Sequence, residues 1–317
     1  MDTISKLNKP VSRIFFGTAM MPMLLGGNAD TLLDGAVEAG ITAFDCARGY
    51  GMAEKSLGGW VKRRGNREQI VILSKCGNMN LLGKVHVDRK VINKELEKSL
   101  KTLGTEYIDI YLLHRDDPKT PVSEYIETLN EAKQQGKIRL FGASNWTDAR
   151  IREANRYAES HGLEGFSVAS PNYGLAIQVS DPWGGGCVTI TGRDNEQARR
   201  WYVENQMPIV AYSSLGRGFF SGKFKAYDFV GAKKTLDKNA QKGYLCDENM
   251  RRLKKAEELA AKYHSTVAQI AMRYVFSSDM NVYAVVSSKN PARLKENLRA
   301  ASNPLSAEDV RYLEDDA

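Results

Sequence analysis

The chain has 317 residues, of which 42% are hydrophobic and 26% charged, a composition typical of a globular protein with a large core. Its net charge is a modest +7, and lysine and arginine alternate with acidic residues along segments 94–101 and 251–262. This mixture predicts solvated helix faces and argues against a nucleic-acid-binding surface. No apolar run approaches the length that would span a membrane.

The N-terminal segment 1–13, MDTISKLNKPVSR, lacks the apolar stretch of a signal peptide. We therefore expect a cytoplasmic protein. The four cysteines, at positions 46, 76, 187 and 246, have no CxxC or other ligand-like spacing. In a reducing cytoplasm this scatter favours free thiols over a disulfide or a metal site.

Short apolar runs alternate with longer amphipathic segments along the chain. The runs predict eight strands, at residues 13–17, 41–45, 70–75, 108–114, 138–144, 166–170, 208–213 and 282–287. The amphipathic segments predict helices between most of them, including 31–40, 54–64, 91–104, 123–136 and 149–160. Gly40, Gly104 and Gly136 stand where left-handed helix ends are expected, and Ser265/Thr266 stands where a helix start is expected.

Eight strands that alternate with helices predict an α/β fold, a closed (β/α)8 TIM barrel, as a single domain over residues 1–317. A doubly wound sheet is the rival fold. It would place a GxGxxG turn after the first strand, and RIFFGTAMMP contains none. The glycines at 216, 218 and 222 follow the seventh run and have the wrong spacing for that turn.

Two segments are longer than a connection in such a barrel requires. Residues 179–194 are rich in glycine, and residues 222–248 form an extended stretch before the next clear helix. Both follow strands on the face of the barrel where active sites occur. We therefore expect them to be substrate loops, with Trp183, Tyr227, Phe229 and Tyr244 as candidate aromatic walls.

Four polar residues lie at or just beyond the ends of three consecutive apolar runs. Asp45 ends ITAFD, Tyr50 follows it by five residues, Lys75 follows IVILS, and His114 follows IDIYLL. The carboxyl ends of parallel strands meet at one edge of a barrel. The sequence therefore predicts an active site at the C-terminal face of the strands, made by these four side chains.

The chemistry of the four side chains suits protonation of a carbonyl oxygen. A free phenol has a pKa near ~10, and a nearby lysine ammonium lowers it, so Lys75 is expected to activate Tyr50. Asp45 would hold the charge of Lys75, and His114 would orient the carbonyl through a hydrogen bond. None of these groups supplies the attacking nucleophile, which implies a hydride-carrying cofactor.

Several segments resemble the aldo-keto reductases, and the resemblance extends over residues 11–302. The segments are GITAFDCARGYGMAEKSLG, ILSKCG, YLLHRDDP, GASNW, VAYSSLGRGFFSGKF and VVSSKNPARLKENL. The chain is similar to short-tailed, bacterial-type members and to the channel-associated β subunits. The resemblance implies a barrel that uses NAD(P)H without a Rossmann domain, with Asp45, Tyr50, Lys75 and His114 as the catalytic tetrad.

The resemblance also implies a cofactor site, to which Asp45 contributes as well. Ser144, Asn145 and Ser170 match the positions that contact the nicotinamide carboxamide, and Tyr212 matches the aromatic that stacks on the ring. The positions that match the pyrophosphate loop are Ser213, Leu215, Gly216, Gly218 and Lys223. The positions that match the adenosine end are Ser287, Lys289, Arg293, Glu296 and Asn297.

Two departures from the family pattern concern the cofactor. Ser170 stands where glutamine is usual, which weakens that carboxamide contact, and Ser287 stands where many NADPH-preferring members have lysine. A preference for NADPH therefore depends on Lys289 and Arg293, which would pair with a 2′-phosphate. NADH remains an alternative.

The resemblance leads us to expect an NADP(H)-dependent oxidoreductase that reduces an aldehyde or ketone to an alcohol, or catalyses the reverse reaction, by direct hydride transfer with Tyr50 as general acid. Its expected partner is a small molecule, with no nucleic acid, membrane or metal, and the oligomeric state is open. Two other hypotheses remain. Lys75 could form a Schiff base, as in barrel aldolases, or the protein could hold NADP(H) as a sensor.

Overall fold

Eight parallel strands close into a barrel in a computed structural model that describes residues 4, 7–80 and 82–315. Each strand pairs with the next along the chain, and the last strand pairs with the first. The strands are β1 Ile14–Gly17, β2 Ala43–Asp45, β3 Val71–Cys76, β4 Ile108–Leu113, β5 Ile138–Ser144, β6 Val168–Ser170, β7 Ile209–Ala211 and β8 Val282–Val286. The (β/α)8 barrel expected from the sequence is confirmed.

Helices surround the barrel and connect its strands. In the part of the chain that the structure describes they are α1 Asp30–Glu38, α2 Ala53–Arg64, α3 Arg89–Leu103, α4 Val122–Gln134, α5 Asp148–Ser160, α6 Glu196–Asn205, α7 Phe229–Thr235, α8 Lys238–Tyr244, α9 Asp247–Lys262, α10 Val267–Phe276, α11 Pro291–Ala300 and α12 Ala307–Glu314. The expected helix signals are confirmed. Gly40, Gly104 and Gly136 have positive φ, and Thr266 forms a capping box with Gln269 at the start of α10.

The two long segments differ in structure. Residues 179–192 contain no helix, and Thr189 bridges to Asn172 beside β6. The later segment, residues 222–248, is partly helical because it contains α7 and α8. Asp228 and Asp237 cap these short helices by accepting backbone N–H bonds.

The core has two layers, because alternate residues of a strand point to opposite faces of the sheet. One layer lies between the strands and the helices. The other fills the barrel, where the buried strand residues are Phe15, Ala43, Val71, Leu73, Ile110, Leu112, Leu140, Val168, Val210 and Tyr283. Because interior positions alternate along each strand, the last interior position of a strand places its side chain at the open end of the barrel.

Polar side chains form a ring at the C-terminal end of the barrel, because each lies two or four residues beyond an interior position of its strand. Asp45 lies two residues after Ala43, Lys75 two after Leu73, and His114 two after Leu112. The same step leads from Val168 to Ser170 and from Val210 to Tyr212, and two such steps lead from Leu140 to Ser144 and from Tyr283 to Ser287. The candidate site is therefore the uppermost layer of the barrel interior.

Candidate active site

Lys75 joins two of the other candidate residues. Its Nζ donates hydrogen bonds to the Asp45 carboxylate, to the backbone oxygen of Cys46 at 3.0 Å, and to the Tyr50 hydroxyl at 3.4 Å. Lys75 and Asp45 are both buried. The lysine is thus an ammonium held between a carboxylate and a phenol.

The charges of this buried pair depend on each other. Burial acts to lower the pKa of Lys75, but the nearby acidic groups, of which Asp45 contributes most, together outweigh burial, and the pKa lies above its ordinary value. Burial raises the pKa of Asp45, and the attraction of Lys75 offsets only part of this rise. Lys75 therefore stays protonated near neutral pH.

Tyr50 lies in the turn that links β2 to α2. Gly51 makes this turn possible: its φ is +54°, and an added Cβ would lie 2.6 Å from the backbone oxygen of Leu24. Burial raises the pKa of Tyr50 to about 12, and the nearby Lys75 charge offsets only part of that rise. The sequence led us to expect a lowered pKa, so the balance of the two effects differs from that expectation. The phenol is consequently a proton donor that stays protonated.

His114 stands edge-on to Tyr50, with ring centroids 5.6 Å apart and an interplanar angle of 82°. Its backbone N–H donates to the backbone oxygen of Cys76 at 2.6 Å, and its side-chain Nδ1 is buried without a hydrogen-bond partner. Burial, with the charges of Lys75 and Arg115, lowers the pKa of His114 well below its ordinary value. The imidazole is therefore neutral, and His114 lines the cavity described below.

Asn145 connects the tetrad to the next part of the ring. It has a φ of 59°, and its Nδ2 donates to the backbone oxygen of His114 and to Ser144 Oγ, both at 3.1 Å. Its Oδ1 accepts from the Tyr212 hydroxyl at 2.7 Å and from the backbone of Val188 at 3.2 Å. The amide therefore fixes His114 and Tyr212 relative to each other.

Ser170 has a backbone role at the same place. Its carbonyl oxygen accepts from Ser144 Oγ at 2.9 Å and from the backbone N–H of Asn145 at 3.2 Å. Both serines are buried and line the cavity described next. The short Ser170 side chain leaves space where a glutamine would extend.

One cavity of about 850 Å³ contains the polar ring and continues past α10 to α11. Most of the expected site residues line it, namely Asp45, Tyr50, Lys75, His114, Ser144, Asn145, Ser170, Tyr212, Ser213, Leu215, Gly218, Lys223, Ser287, Arg293, Glu296 and Asn297. The structure thus brings together the tetrad and the three groups of cofactor positions that the resemblance implies.

Two expected site residues lie away from this cavity wall. Gly216 is buried with a φ of +57°, and an added Cβ would lie 2.7 Å from the Cβ of Ala176. It shapes the 3-10 turn Gly216–Gly218 from beneath. Lys289 is exposed in the connection that leads to α11.

The long segments contribute less aromatic surface than expected. Trp183 lines the cavity, but Tyr227, Phe229 and Tyr244 do not. Tyr244 is fully buried, and its hydroxyl accepts a hydrogen bond from Asn172 Nδ2 at 3.1 Å. Tyr227 is 53% exposed.

The sequence did not single out several cavity residues as part of the site, including Asn78, Arg115, Cys187, Arg217, Ser221 and Thr266. Arg217 stacks on Trp183 at 4.1 Å and pairs with Asp237 at 2.7 Å. The signal for Arg217 was present, because it lies between two of the assigned loop glycines. Arg115 directly follows His114, but its charged neighbours made it resemble a surface residue.

The cavity is large enough for a dinucleotide, and some polar atoms of its lining residues have no hydrogen-bond partner. Arg217 Nε and Ser221 Oγ are buried without hydrogen-bond partners, and both residues line the cavity beside the Gly216–Gly218 turn. An added Cβ at Gly218 would meet nothing within 4 Å. Buried polar groups of this kind require a partner. The residues present therefore fit a nicotinamide dinucleotide lying along the cavity.

Residues 4, 7–80 and 82–315 contain neither a metal-binding cluster nor a membrane-crossing helix. No group of three or more histidine, cysteine, aspartate or glutamate side chains there could hold a metal ion. The four cysteines are free. Within those same ranges, none of the helices combines the length and the apolar character needed to cross a membrane.

Comparison with known families gives one match along nearly the whole chain. Residues 13–315 match the model of the aldo/keto reductase family. The matched range includes every residue of the polar ring and the rest of the cavity wall.

Curated relatives are similar over most of their length. An aldo-keto reductase of Schizosaccharomyces pombe, yakc, named for NADP(+), is 26% identical over 318 residues, which cover 96% of this chain and 88% of that protein. An NADH-specific methylglyoxal reductase of Escherichia coli is 27% identical over 307 residues, which cover 90% and 85%. The two names differ in their cofactor.

A solved structure gives the same fold. The glycerol dehydrogenase of Gluconobacter oxydans superposes with a TM-score of 0.75 at 22% identity, covering 98% of this chain and 93% of that one. At this identity the likeness concerns the barrel alone.

Proposed function

Because this chain belongs to the aldo/keto reductase family and is an oxidoreductase that acts on carbonyl compounds, we propose that it uses NADP(H) to interconvert an aldehyde or ketone and its alcohol, with Tyr50 as general acid. The observation that carries the proposal is the Lys75 ammonium, held by Asp45 and 3.4 Å from the Tyr50 hydroxyl in the floor of a large cavity.

The cavity residues would hold the cofactor in an extended arrangement. Tyr212 would stack on the nicotinamide, and Ser144 with Ser170 would contact its carboxamide. The turn Gly216–Gly218, with Ser213 and Lys223, would approach the phosphates. Once bound, the reduced nicotinamide supplies the hydride that the side chains of this chain lack.

Tyr50 supplies the proton in this scheme. As the carbonyl carbon gains a C–H bond, the carbonyl oxygen becomes an alkoxide, which is a stronger base than a phenolate and takes the Tyr50 proton. The Lys75 ammonium then faces the phenolate that remains, and Asp45 keeps Lys75 in place. The pKa of about 12 ensures that Tyr50 carries its proton before the reaction.

His114 would orient the carbonyl. Its imidazole is neutral because its pKa is lowered by burial and by nearby cations. A neutral imidazole donates one N–H bond without placing a second full charge beside Lys75. It would therefore direct the carbonyl oxygen towards Tyr50, 5.6 Å away between ring centroids.

NADP(H) is proposed over NAD(H) because of the far end of the cavity. Arg293 lines the wall there beside Asn297, at the first turn of α11. A guanidinium suits a 2′-phosphate through paired N–H donors. The relatives include proteins named for each cofactor. The preference for NADP(H) is therefore proposed from the charge of Arg293.

The Schiff-base hypothesis fits the geometry less well. Attack by Lys75 on a carbonyl requires the neutral amine. The Asp45 carboxylate instead keeps the pKa of Lys75 above its ordinary value, against the effect of burial. The ammonium is therefore the form that the site stabilises.

The proposal is tested by adding NADPH and 4-nitrobenzaldehyde to the purified protein and following nicotinamide absorbance. We expect turnover by the wild type and a loss of roughly 10²–10⁴-fold in Tyr50→Phe, which removes only the hydroxyl. Equal turnover by both proteins would refute the role of Tyr50. Tight NADPH binding without turnover of any carbonyl compound would favour the sensor hypothesis.

A further inference from the structure

Arg115 is a buried cation in the wall of the active-site cavity. It follows His114 just beyond the end of β4, the residue is 5% exposed, and it lines the same cavity as Tyr50 and His114. Arginine is rarely buried to this extent unless its charge is paired. The partners of its guanidinium therefore indicate what the side chain does.

Arg115 has weak partners within the protein. Its Nη1 donates to Cys187 Sγ at 3.1 Å, and its Nε is buried without a hydrogen-bond partner. Thiol sulfur is a weak acceptor, and burial raises the pKa of Cys187, so the thiol is neutral at pH 7. Within the described part of the chain, Arg115 forms no ion pair with a carboxylate.

The carboxylates around Arg115 are engaged elsewhere. Asp116 pairs with Arg150 at 3.2 Å. Asp117 accepts the backbone N–H of Lys119 at 3.2 Å. Asp181 accepts backbone N–H bonds from Trp183 at 2.7 Å and Cys187 at 2.8 Å. The charge of Arg115 helps to lower the pKa of Asp181, but no carboxylate in the described part of the chain contacts the guanidinium directly. Arg115 therefore lies beside Tyr50 and His114 without a carboxylate bound to its N–H groups.

The glycine-rich segment covers the arginine. An added Cβ at Gly186 would lie 3.9 Å from the Arg115 Cδ, so the backbone of this loop packs against the arginine stem. Cys187 and Trp183 of the same loop also line the cavity. The loop therefore packs against the stem of Arg115, and both the loop and the arginine form part of the cavity wall.

We propose that Arg115 binds a carboxylate carried by the substrate, so that the preferred substrates are carboxylate-bearing aldehydes or ketones. This inference depends on the proposed carbonyl reduction, because it names the substrate class of that site. One guanidinium matches the single charge of a carboxylate, which it can hold through two N–H bonds. The other cation of the tetrad region, Lys75, is already paired with Asp45.

The cofactor does not account for Arg115. The phosphates are assigned to the Gly216–Gly218 turn and to Arg293, whereas Arg115 adjoins His114 and Cys187 at the reacting end. A nicotinamide carboxamide is neutral and would leave the guanidinium charge uncompensated. An anionic substrate supplies the missing charge.

The test compares 4-formylbenzoate with its methyl ester, which has the same aldehyde without the charge. We expect the wild type to prefer the acid in kcat/KM. Arg115→Met, which keeps the volume without charge, should lose about 10- to 100-fold in kcat/KM for the acid, mainly through KM, and little for the ester. Arg115→Lys should recover part of the loss.

Two controls separate binding from folding and from net charge. The melting temperature of Arg115→Met without ligand should equal or exceed that of the wild type, because the variant removes an unpaired buried charge. Lys225→Met removes one charge from a side chain that is 84% exposed, and it should leave the preference unchanged.

The outcomes distinguish the inference from the function on which it rests. Turnover of both probes without a preference for the acid would overturn the anion site and leave carbonyl reduction standing. Equal losses for both probes in Arg115→Met with a lowered melting temperature would also overturn it, since Arg115 would then be structural. Turnover of neither probe, and none of 4-nitrobenzaldehyde, would refute carbonyl reduction. The affinities for 4-hydroxymethylbenzoate and its methyl ester would then be measured by calorimetry. Tighter binding of the acid than of the ester would support the anion site, and equal affinities would overturn it.

Discussion

The Lys75 ammonium lies 3.4 Å from the Tyr50 hydroxyl, yet the pKa of Tyr50 is raised to about 12. Burial of the phenol outweighs the adjacent positive charge, because desolvation penalises a phenolate more than one paired ammonium favours it. In the proposed reaction, Lys75 would therefore act less by ionising Tyr50 in advance than by stabilising the phenolate that remains after proton transfer.

Replacement of Lys75 by methionine should impair both activity and stability. The Asp45 carboxylate would remain buried without its partner, which costs roughly 3–5 kcal/mol. Urea unfolding should show this loss at pH 7. The double variant Asp45→Asn/Lys75→Met should recover most of the stability but none of the turnover, and recovered turnover would contradict the role assigned to Lys75.

Stability should fall with acidification partly because of His114. Its folded-state pKa lies well below 6.5, so the unfolded chain binds its proton first as the pH decreases. The stabilisation is thus fully present above about pH 6.5 and is lost as the pH falls towards the folded-state value, by up to about 1.4 kcal/mol per pH unit. Urea titrations at pH 7.5 and 5.5 should show a smaller difference in His114→Gln than in the wild type. Equal differences would argue against a buried neutral imidazole.

The ring and the hydroxyl of Tyr212 should have separable effects. Tyr212→Phe removes the 2.7 Å hydrogen bond to Asn145 and should cost about 1 kcal/mol of stability, with little change in NADPH affinity. Tyr212→Ala also removes the stacking surface and should weaken NADPH binding by at least tenfold. Fluorescence titration with NADPH measures both, and equal affinities for the two variants would contradict stacking on Tyr212.

The cofactor preference should depend on Arg293. Arg293→Ala should lower the affinity for NADPH by about 10- to 100-fold and that for NADH by much less, since a charge-assisted contact to the 2′-phosphate is lost. Lys289→Ala should have a smaller effect, because Lys289 is exposed and lies away from the cavity wall. Unchanged discrimination in Arg293→Ala would indicate that another residue selects the cofactor.

The barrel and the proximity of Asp45, Tyr50, Lys75 and His114 could be predicted from local sequence, because apolar runs mark strands and parallel strands place their ends together. The place of Arg115 in the cavity wall could not be predicted, because its burial depends on the loop that contains Gly186, and this loop follows a strand that is distant in the sequence. Gly216 and Lys289 matched a motif, but a motif does not reveal which side of a turn faces the cavity. The pKa of Tyr50 depends on the amount of surrounding protein, which no linear pattern encodes.

The residues of the polar ring continue the two-residue spacing of the interior positions. The positions of these side chains therefore depend directly on the register of the strands. Inserting a single residue into β3 ahead of Ser74 would turn Lys75 out towards the helices and bring Ser74 into the barrel. Under the proposed function, substitutions in the loop that covers Arg115 would alter the choice of substrate and leave the strand register unchanged, whereas an insertion in a strand would displace the tetrad itself.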